Sequence, residues 1–260
     1  MQSLSKKELE KIYMFILKTG QTINYEKYPY LFLKEIEKII PYYAANFFLF
    51  DEKENPVCDP ICINIKKDTV NMYEKYYYKL DTIRAKAFNQ PDPIRSTDLL
   101  NYSQWVNTEY FTDFISPNNF YFSCGIDIIY RNQLLGAVSL FREKTDKNFS
   151  LKDLLVLEFI SNQAANQLFK LSAINKLNKT AQRKKEQLIA LSEKRYNLTA
   201  RESEVLNLLI SGKNNREIAA ELYISINTVK KHLSHIYMKA NVDNRTELTS
   251  AVFKCEKYIF

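Results

Sequence analysis

Proline is distributed unevenly along this chain. All seven prolines of the 260-residue sequence lie at or before Pro117, and residues 118–260 contain none. Because proline lacks a backbone N–H and disrupts helix interiors, long helices are favoured in this second part. The four glycines are Gly20, Gly125, Gly136 and Gly212, and their scatter excludes a glycine-rich phosphate-binding loop.

The composition predicts a globular protein of one large or two ordinary domains. Hydrophobic residues make up 46% of the sequence, which is enough for a substantial core. No apolar run approaches the roughly 20 residues that a membrane-spanning helix needs. The first residues, "MQSLSKKELEKIYMF", are typical of an amphipathic helix and not of a signal peptide. We therefore expect a cytoplasmic protein with no membrane partner.

The rare residue types argue against enzymatic chemistry. Residues 1–197 contain no histidine, which excludes Ser-His-Asp and Cys-His nucleophiles and most zinc sites there. The four cysteines fit free thiols in a reducing compartment. Cys58 and Cys62 would form half of a metal or redox site, but a second pair is missing. We expect a non-enzyme without metal or cofactor, and the role of the cysteines stays open.

Positive charge is confined to the last third of the chain. The net charge is +7, and residues 170–195 hold eight Lys/Arg against two Asp/Glu. A basic stripe in one region suits a polyanion such as DNA, although a solvated helix face would have the same composition.

The first part has the pattern of an α+β domain. Helical periodicity covers residues 5–18 and 26–40, and again residues 68–79 and 103–115. Strand patterns form two hairpins, at 42–51 with 57–65 and at 120–130 with 134–143, the second joined by the turn "RNQ". Hairpins predict an antiparallel sheet. This argues against a receiver domain that accepts phosphate on Asp51, because such a domain needs a parallel sheet.

That order of elements resembles a GAF-type sensor domain. The segments "NFFLFDEKEN" (46–55) and "LLGAVSLFREK" (134–144) are the most typical of that family. The resemblance implies an antiparallel sheet flanked by helices, with a small-molecule pocket on one face. We assign this sensor domain to residues 1–168.

A long helix is predicted to follow the sheet. Ser150 and Asp153 form a capping pattern, and helical periodicity continues towards Lys194. Apolar residues fit heptad a and d positions at Leu157, Ile160, Ala164, Leu171, Ile174, Ala181 and Leu188. Two interpretations remain open: helices paired in a coiled coil, or one helix that closes the sensor domain and continues as a basic linker over residues 169–195.

The remaining residues, 196–260, predict an all-α domain of four helices. Helix-start patterns pair Thr199 with Glu202, Asn214 with Glu217 and Asn244 with Glu247, while Ser225 can cap a further helix. Gly212 marks a helix end. The predicted helices cover residues 200–211, 215–222, 226–240 and 245–257.

This region resembles the LuxR-type helix-turn-helix domain. The segment "LTARESEVLNLLISGKNNREIAAELYISINTVKKHLSHIYMKANVDNRTEL" (198–248) matches that family in register from Leu198 to Arg245. Tyr223, in the turn, is bulkier than usual for the family, and we expect it to cover the edge of the core. The resemblance implies a double-stranded DNA partner.

The resemblance and helix geometry together assign roles on this domain. Lys230, Lys231 and Ser234 share the outward face of the third helix and are predicted to contact bases. Contacts to the DNA backbone are predicted for Lys213, Arg216, Thr228, His232, Lys239 and Arg245. The fourth helix carries an apolar stripe of Leu248, Val252 and Cys255, which by resemblance forms a homodimer contact, although a core-packing face would look the same.

Aromatic residues in the first domain predict a pocket for an uncharged or amphipathic effector. The segments "MYEKYYYKLD" (72–81) and "SQWVNTEYFTDF" (103–114) supply the candidates Tyr73, Tyr77, Asp81, Trp105, Tyr110 and Phe111. The first segment loosely resembles the pattern of the lactone-binding LuxR proteins, but their tryptophan is absent and Thr82 replaces their proline.

The sequence therefore predicts a dimeric transcription regulator whose sequence-specific DNA binding is controlled by a small ligand. The alternative is a first domain that binds a partner protein and no small molecule. The ligand, the operator and the sign of regulation are left open.

Overall fold

A computed structural model describes residues 4–87 and 90–254. The chain divides into two compact units, Met1–Asn175 and Lys176–Phe260. This boundary falls inside the basic linker predicted at residues 169–195.

The first unit is an antiparallel sheet flanked by helices. Its longer helices are α1 (Lys6–Gly20), α2 (Tyr28–Ile36), α3 (Lys67–Lys75) and the start of α7 (Leu151–Tyr196), and its shorter ones are α4 (Thr82–Ala87), α5 (Ser96–Leu99) and α6 (Tyr102–Trp105). The strands are β1 (Ala44–Leu49), β2 (Ile61–Ile63), β3 (Ile94–Arg95), β4 (Phe122–Tyr130) and β5 (Gln133–Arg142). They lie in the order β2-β1-β5-β4-β3, and each neighbouring pair is antiparallel. The predicted α+β class is confirmed.

Both predicted hairpins are present. Arg131 and Asn132 join β4 to β5 with φ of 50° and 64°, as expected for the tight turn that matches strand twist. Gly136 lies where β1 crosses closely, since a Cβ atom there would come within 2.8 Å of the Phe47 ring. The sheet therefore tolerates no side chain at this position without local rearrangement.

Alternation along β1 separates the two faces of the sheet. Ala45, Phe47 and Leu49 join the main core, which α1, α2 and the first turns of α7 cover. Edge-to-face contacts of Phe32 with Phe15 and with Phe47, both at 5.2 Å between ring centroids, fix the packing of this layer. The opposite face, with residues 44, 46 and 48, turns towards the irregular segments between β2 and β4.

Those irregular segments differ from the sequence prediction. The helix predicted at 68–79 breaks at Tyr76, where φ is −135°, and continues as a 3-10 turn, Tyr77–Lys79. The helix predicted at 103–115 divides into α6 and a π-helical segment, Tyr110–Ile115. The sequence does not predict strand β3. This strand has only two residues, and Pro91 and Pro93 come just before it.

Helix α7 runs without interruption for 46 residues. Its predicted cap is present, since the Asp153 N–H donates to Ser150 Oγ at 3.1 Å and the Ser150 N–H donates to Asp153 Oδ2 at 2.8 Å. The heptad residues at 157, 160, 164 and 171 are completely buried in the core of the first unit. They cannot pair with a second helix, so for this part of α7 the interpretation as a closing helix is the correct one.

The second unit contains the end of α7 and four further helices: α8 (Ala200–Ile210), α9 (Asn215–Glu221), α10 (Ile226–Ala240) and α11 (Arg245–Lys254). Reciprocal capping boxes start α8 at Thr199 and α9 at Asn214, as predicted. Gly212, just after the end of α8, has a φ of +85°, a backbone conformation that glycine adopts without strain. The helix therefore stops here. Leu188 of α7 packs into the core that these helices share.

Candidate nucleic-acid interface and ligand cavity

Helices α9 and α10 form a helix-turn-helix. Val229, Leu233 and Ile236 of α10 are buried in the domain core, which fixes the rotation of this helix about its axis. Ser225 accepts the N–H of Thr228 at 3.0 Å and so starts α10 abruptly after the turn. A short helix, a tight turn and a rotationally fixed second helix are the parts that a major-groove reader needs.

The predicted base-reading residues lie together on the solvent side of α10. Lys230, Lys231 and Ser234 are all exposed. Arg216 is exposed in the first turn of α9, whereas His232 and Thr228 are half-buried. The face thus offers ammonium and hydroxyl groups suited to guanine acceptors and to phosphates.

A cavity of about 150 Å³ lies in the first unit, beside the second face of the sheet. Its floor comes from β1, β4 and β5, and its sides come from α3, α4 and the π-helical segment. The aromatic lining residues are Phe48, Tyr73, Tyr110, Phe114, Phe120 and Phe141, and the charged ones are Asp81, Arg84, Asp92 and Asp127.

Asp81 organises one wall of this cavity. Its carboxylate accepts hydrogen bonds from the Tyr73 hydroxyl at 2.8 Å, the Tyr110 hydroxyl at 3.1 Å and the Arg84 backbone N–H at 2.9 Å. Burial, and then the negative charge of Asp81, raise the pKa of both tyrosines well above the ordinary value, so both remain hydrogen-bond donors. Asn46 Oδ1 is buried on the floor and has no hydrogen-bond partner among the described residues.

The second unit has a clear family match. A family profile described as "Bacterial regulatory proteins, luxR family" matches residues 196–252. Residues 196–252 therefore form a LuxR-family DNA-binding domain. A Klebsiella aerogenes relative named "Monoamine regulon transcriptional regulator" is 26% identical over 221 residues, covering 84% of this chain and 87% of the relative.

Other similarities of the chain are local or distant. The Bacillus subtilis "Uncharacterized transcriptional regulatory protein YhcZ" is 51% identical over 55 residues, 21% of this chain and 26% of the relative. In that case the chain matches about a quarter of the relative's length. Among solved structures, Escherichia coli SdiA is 17% identical, with coverage of 94% and 95% and a TM-score of 0.48.

Two of the residues predicted to contact phosphate make hydrogen bonds inside the DNA-binding domain. Lys239 Nζ donates to Glu202 Oε2 at 2.6 Å and to the Asn197 carbonyl at 2.8 Å. The Arg245 guanidinium donates to the carbonyls of Leu209 and Lys213, at 3.1 and 2.6 Å. Lys239 thus ties α10 to the start of α8, and Arg245 satisfies one carbonyl at the end of α8 and one in the loop that follows. Contacts of these two residues with the DNA backbone stay a prediction.

Glu202 is the buried partner in the first of these contacts. Burial acts to raise the pKa of its carboxyl, but hydrogen bonds from Lys239 and from the Thr199 backbone outweigh this effect and lower the pKa. By contrast, Lys213 pairs with Glu221 at the surface, where ion pairs contribute about 0–1 kcal/mol. Such a weak pair exchanges readily for a phosphate, so the role of Lys213 stays a prediction.

The predicted dimer stripe is wrong for the residues that the structure describes. Leu248 and Val252 are 0% exposed and pack inside the core of their own helix-turn-helix domain. They present no surface to a second copy. Cys255, the third residue of the stripe, lies outside the described residues.

The cavity contains half of the predicted pocket residues. Tyr73, Asp81 and Tyr110 line it, whereas Tyr77, Trp105 and Phe111 do not. The break at Tyr76 moves Tyr77 off the face that it would share with Tyr73 in a continuous helix. Trp105 and Phe111 pack edge to face, 4.8 Å apart between ring centroids, behind the wall in an aromatic cluster.

Sequence reasoning misses one position on the DNA-binding domain and misjudges another. Asn227 is exposed on the same face of α10 as Lys231 and Ser234. Its spacing of four residues from Lys231 could have indicated that it shares this face. The expectation that Tyr223 covers the core edge is wrong, because it is 95% exposed, with a φ of 54°.

Two of the four cysteines, Cys62 and Cys124, have the properties of inert thiols. Burial raises the pKa of Cys62 to about 11 and that of Cys124 further still, so both stay protonated at neutral pH. Within residues 4–87 and 90–254, no cluster of three or more His, Cys, Asp or Glu side chains is arranged to hold a metal ion. In the same described ranges, no helix combines the length and apolarity needed to cross a bilayer.

Proposed function

We propose that a small molecule bound in the cavity of the first unit controls the DNA binding of this LuxR-family regulator. The observation that supports this is the cavity itself, which combines aromatic walls with the Asp81 carboxylate and the buried Asn46 Oδ1. Such a combination of apolar surface and few fixed polar groups is typical of ligand sites. The coupling can be no larger than the difference in effector affinity between the two functional states.

The chemistry of the lining favours a cationic amine. Three of the described lining residues are carboxylates, Asp81, Asp92 and Asp127, against the single guanidinium of Arg84. An ammonium group would donate to Asn46 Oδ1 and to the acceptor capacity that remains on Asp81. The aromatic faces of Tyr110 and Phe114, stacked at 5.5 Å, offer cation–π contacts.

The size of the cavity and the name of one relative also support a cationic amine as the effector. A water molecule needs about 10–15 Å³ of cavity volume, so this cavity has room for about ten non-hydrogen atoms. An aryl-alkyl amine has this size. The Klebsiella relative is named for a monoamine regulon, and this name agrees with an amine effector here. The expectation of an uncharged or amphipathic effector is thereby narrowed to an amphipathic effector that carries a positive charge.

An amine site is tested with three ligands of similar size. Phenethylamine, phenethyl alcohol and phenylacetate share the aromatic body and differ in the charge of the head group. We expect thermal stabilisation of the full chain by the amine alone, amounting to about 2.7 kcal/mol at a ligand concentration of about 100 times Kd. Operator occupancy in a footprinting assay should change with the same ligand.

The variant Asp81→Asn should remove this stabilisation, because it deletes the charge that attracts the ammonium group. Asp59→Asn, at an exposed carboxylate outside the cavity lining, is the matched control and should respond like wild type. Stabilisation by all three ligands equally would contradict the amine assignment. No response to any of them, together with a co-purifying partner protein, would favour the alternative of a protein-binding domain.

We propose that the regulator acts as a homodimer through its first unit. Helices α1 and α7 run side by side, because Lys152 contacts Glu8 at 2.6 Å and Gln167 donates to the Thr22 carbonyl at 3.0 Å. Both helices expose large apolar side chains: Leu9, Tyr13 and Leu17 on α1, and Leu151, Leu155 and Phe159 on α7. Apolar stripes on two neighbouring helices are typical of a surface that a second copy covers.

Phe159→Glu is expected to raise the dimer dissociation constant at least about tenfold, because it places a charge in an apolar contact. Sedimentation equilibrium measures this directly. Tyr30→Glu, which alters a similarly exposed aromatic residue on α2, is the control and should leave the association unchanged. Equal weakening by both variants would contradict the assignment of the interface to α1 and α7.

The proposed site of action is the cytoplasm, where a bacterial regulator meets duplex DNA. We propose no catalytic role, since the first unit contains no histidine and the named relatives are regulators.

A further inference from the structure

The floor of the cavity carries two polar side chains on neighbouring strands. Asn46 of β1 lies opposite Ser139 of β5, and Ser139 lies opposite Gly125 of β4. All three residues line the cavity. Because directly opposite residues of an antiparallel pair have Cβ atoms about 4.5–5.5 Å apart, the side chains of Asn46 and Ser139 are close neighbours. We define these two residues as the floor pair.

The floor pair has no hydrogen-bond partner within the part of the chain that the structure describes. Neither the side-chain amide of Asn46 nor the hydroxyl of Ser139 bonds to any residue of the ranges 4–87 and 90–254, and Asn46 Oδ1 is buried. On the other side of Asn46, the Cys62 thiol donates to the Pro60 carbonyl at 3.6 Å. Buried polar groups are normally paired, so the floor pair retains the capacity to bind a polar group of a ligand.

Gly125 keeps the floor open beside this pair. A Cβ atom at this position would lie 3.7 Å from Ser139 Oγ and 2.9 Å from the Val138 carbonyl oxygen. Glycine inside a strand often marks a place where a ligand approaches the backbone closely. A ligand that lies over Gly125 can therefore reach the Ser139 hydroxyl without a side chain between them.

The chemistry of the floor pair extends the proposed amine site, on which the following assignment rests. An asparagine amide carries an acceptor oxygen and a donor nitrogen side by side on one planar group. No hydrogen bond fixes the Asn46 amide, so rotation about its last side-chain bond can present both atoms to a ligand. When the ammonium group donates to Oδ1, the Nδ2 group and the Ser139 hydroxyl lie near the carbon atoms next to the ammonium nitrogen.

We propose that the floor pair binds a hydroxyl group on the carbon adjacent to the aminated carbon, so that the effector is an aryl-substituted vicinal amino alcohol. Asn46 Nδ2 donates to the hydroxyl oxygen, and the hydroxyl donates to Ser139 Oγ. A hydroxyl on the aromatic ring would lie at the far end of the ligand and could not make these bonds. The hydroxylated carbon is a stereocentre and the floor pair lies on one side of it, so the site favours one enantiomer.

Calorimetric titration of the full chain with phenethylamine and with each enantiomer of phenylethanolamine tests this proposal. Phenylethanolamine differs from phenethylamine only by the hydroxyl group in question. We expect one enantiomer to bind about tenfold more tightly than phenethylamine, as two further hydrogen bonds allow, and the other enantiomer to show no such gain. Equal dissociation constants for phenethylamine and both enantiomers would overturn the assignment of the hydroxyl and leave the amine site in place. Failure of all three to bind would overturn both.

Variants of the floor pair locate the effect. Ser139→Ala and Asn46→Leu should each bring the ratio of the phenethylamine and phenylethanolamine dissociation constants close to one. Ser139→Ala removes a single oxygen atom and so carries the test even if Asn46→Leu does not fold. Ser123→Ala is the matched control, since Ser123 lines the same cavity but lies opposite Phe141, and it should keep the wild-type ratio. A wild-type ratio in Ser139→Ala, or an equal loss in Ser123→Ala, would overturn the proposal.

Discussion

Replacing Leu248 by alanine is expected to lower the free energy of unfolding of the DNA-binding unit by about 2–5 kcal/mol. The side chain is 0% exposed and packs in the core with Val205, Leu206 and Ile236, so its truncation leaves a cavity. The total free energy of unfolding of a domain of this size is about 5–15 kcal/mol. Chemical denaturation followed by circular dichroism should therefore show a much earlier transition, with loss of DNA binding near body temperature.

Phe253→Ala provides the matched control, because Phe253 lies on the same helix and is 46% exposed. It should change stability by less than about 0.5 kcal/mol, as surface substitutions usually do. The dimer dissociation constant should be the same in both variants. A Leu248→Ala protein with wild-type stability and weakened dimerisation would restore the role that the apolar stripe first suggested.

Replacing Lys231 by alanine is expected to change which bases the protein prefers. A well-placed side chain on a base edge contributes about 1–3 kcal/mol of discrimination, which is roughly 5- to 150-fold in affinity. Duplexes selected from a random pool by wild type should lose preference at one or two positions when the variant repeats the selection. Lys230→Ala should affect a neighbouring position.

Arg216→Ala separates base reading from backbone binding. This exposed residue opens α9, and its removal should weaken all duplexes alike and lower the salt slope by about one. If Lys231→Ala selects the same sequences as wild type, Lys231 contacts phosphate and not bases.

The sequence was most informative where structure is decided within a few residues. The starts of α8, α9 and α10 follow from Thr199, Asn214 and Ser225, whose side chains accept backbone N–H groups in the next turn. The end of α8 follows from Gly212. These local signals, together with strand alternation, were sufficient for both hairpins and for all four terminal helices.

The errors arose where distant residues decide the outcome. An apolar stripe on α11 indicates that Leu248 is covered, but not whether its own chain or a second copy covers it. The role of Lys239 depends on Glu202, which lies 37 positions away in sequence. Likewise, no pattern in β1 could have indicated that Asn46 faces a cavity, because that cavity is closed by segments from residue 60 onwards.

The ion pair between Lys239 and the buried Glu202 holds α10 against the start of α8 within one domain. The reading helix is therefore preset before any effector arrives. If the proposed effector leaves this ion pair intact, we expect it to change how many DNA-binding domains of the proposed dimer bind DNA together, and not which bases each domain recognises. We expect the consensus sequence of bound sites to be identical with and without effector, while the Hill coefficient of binding differs.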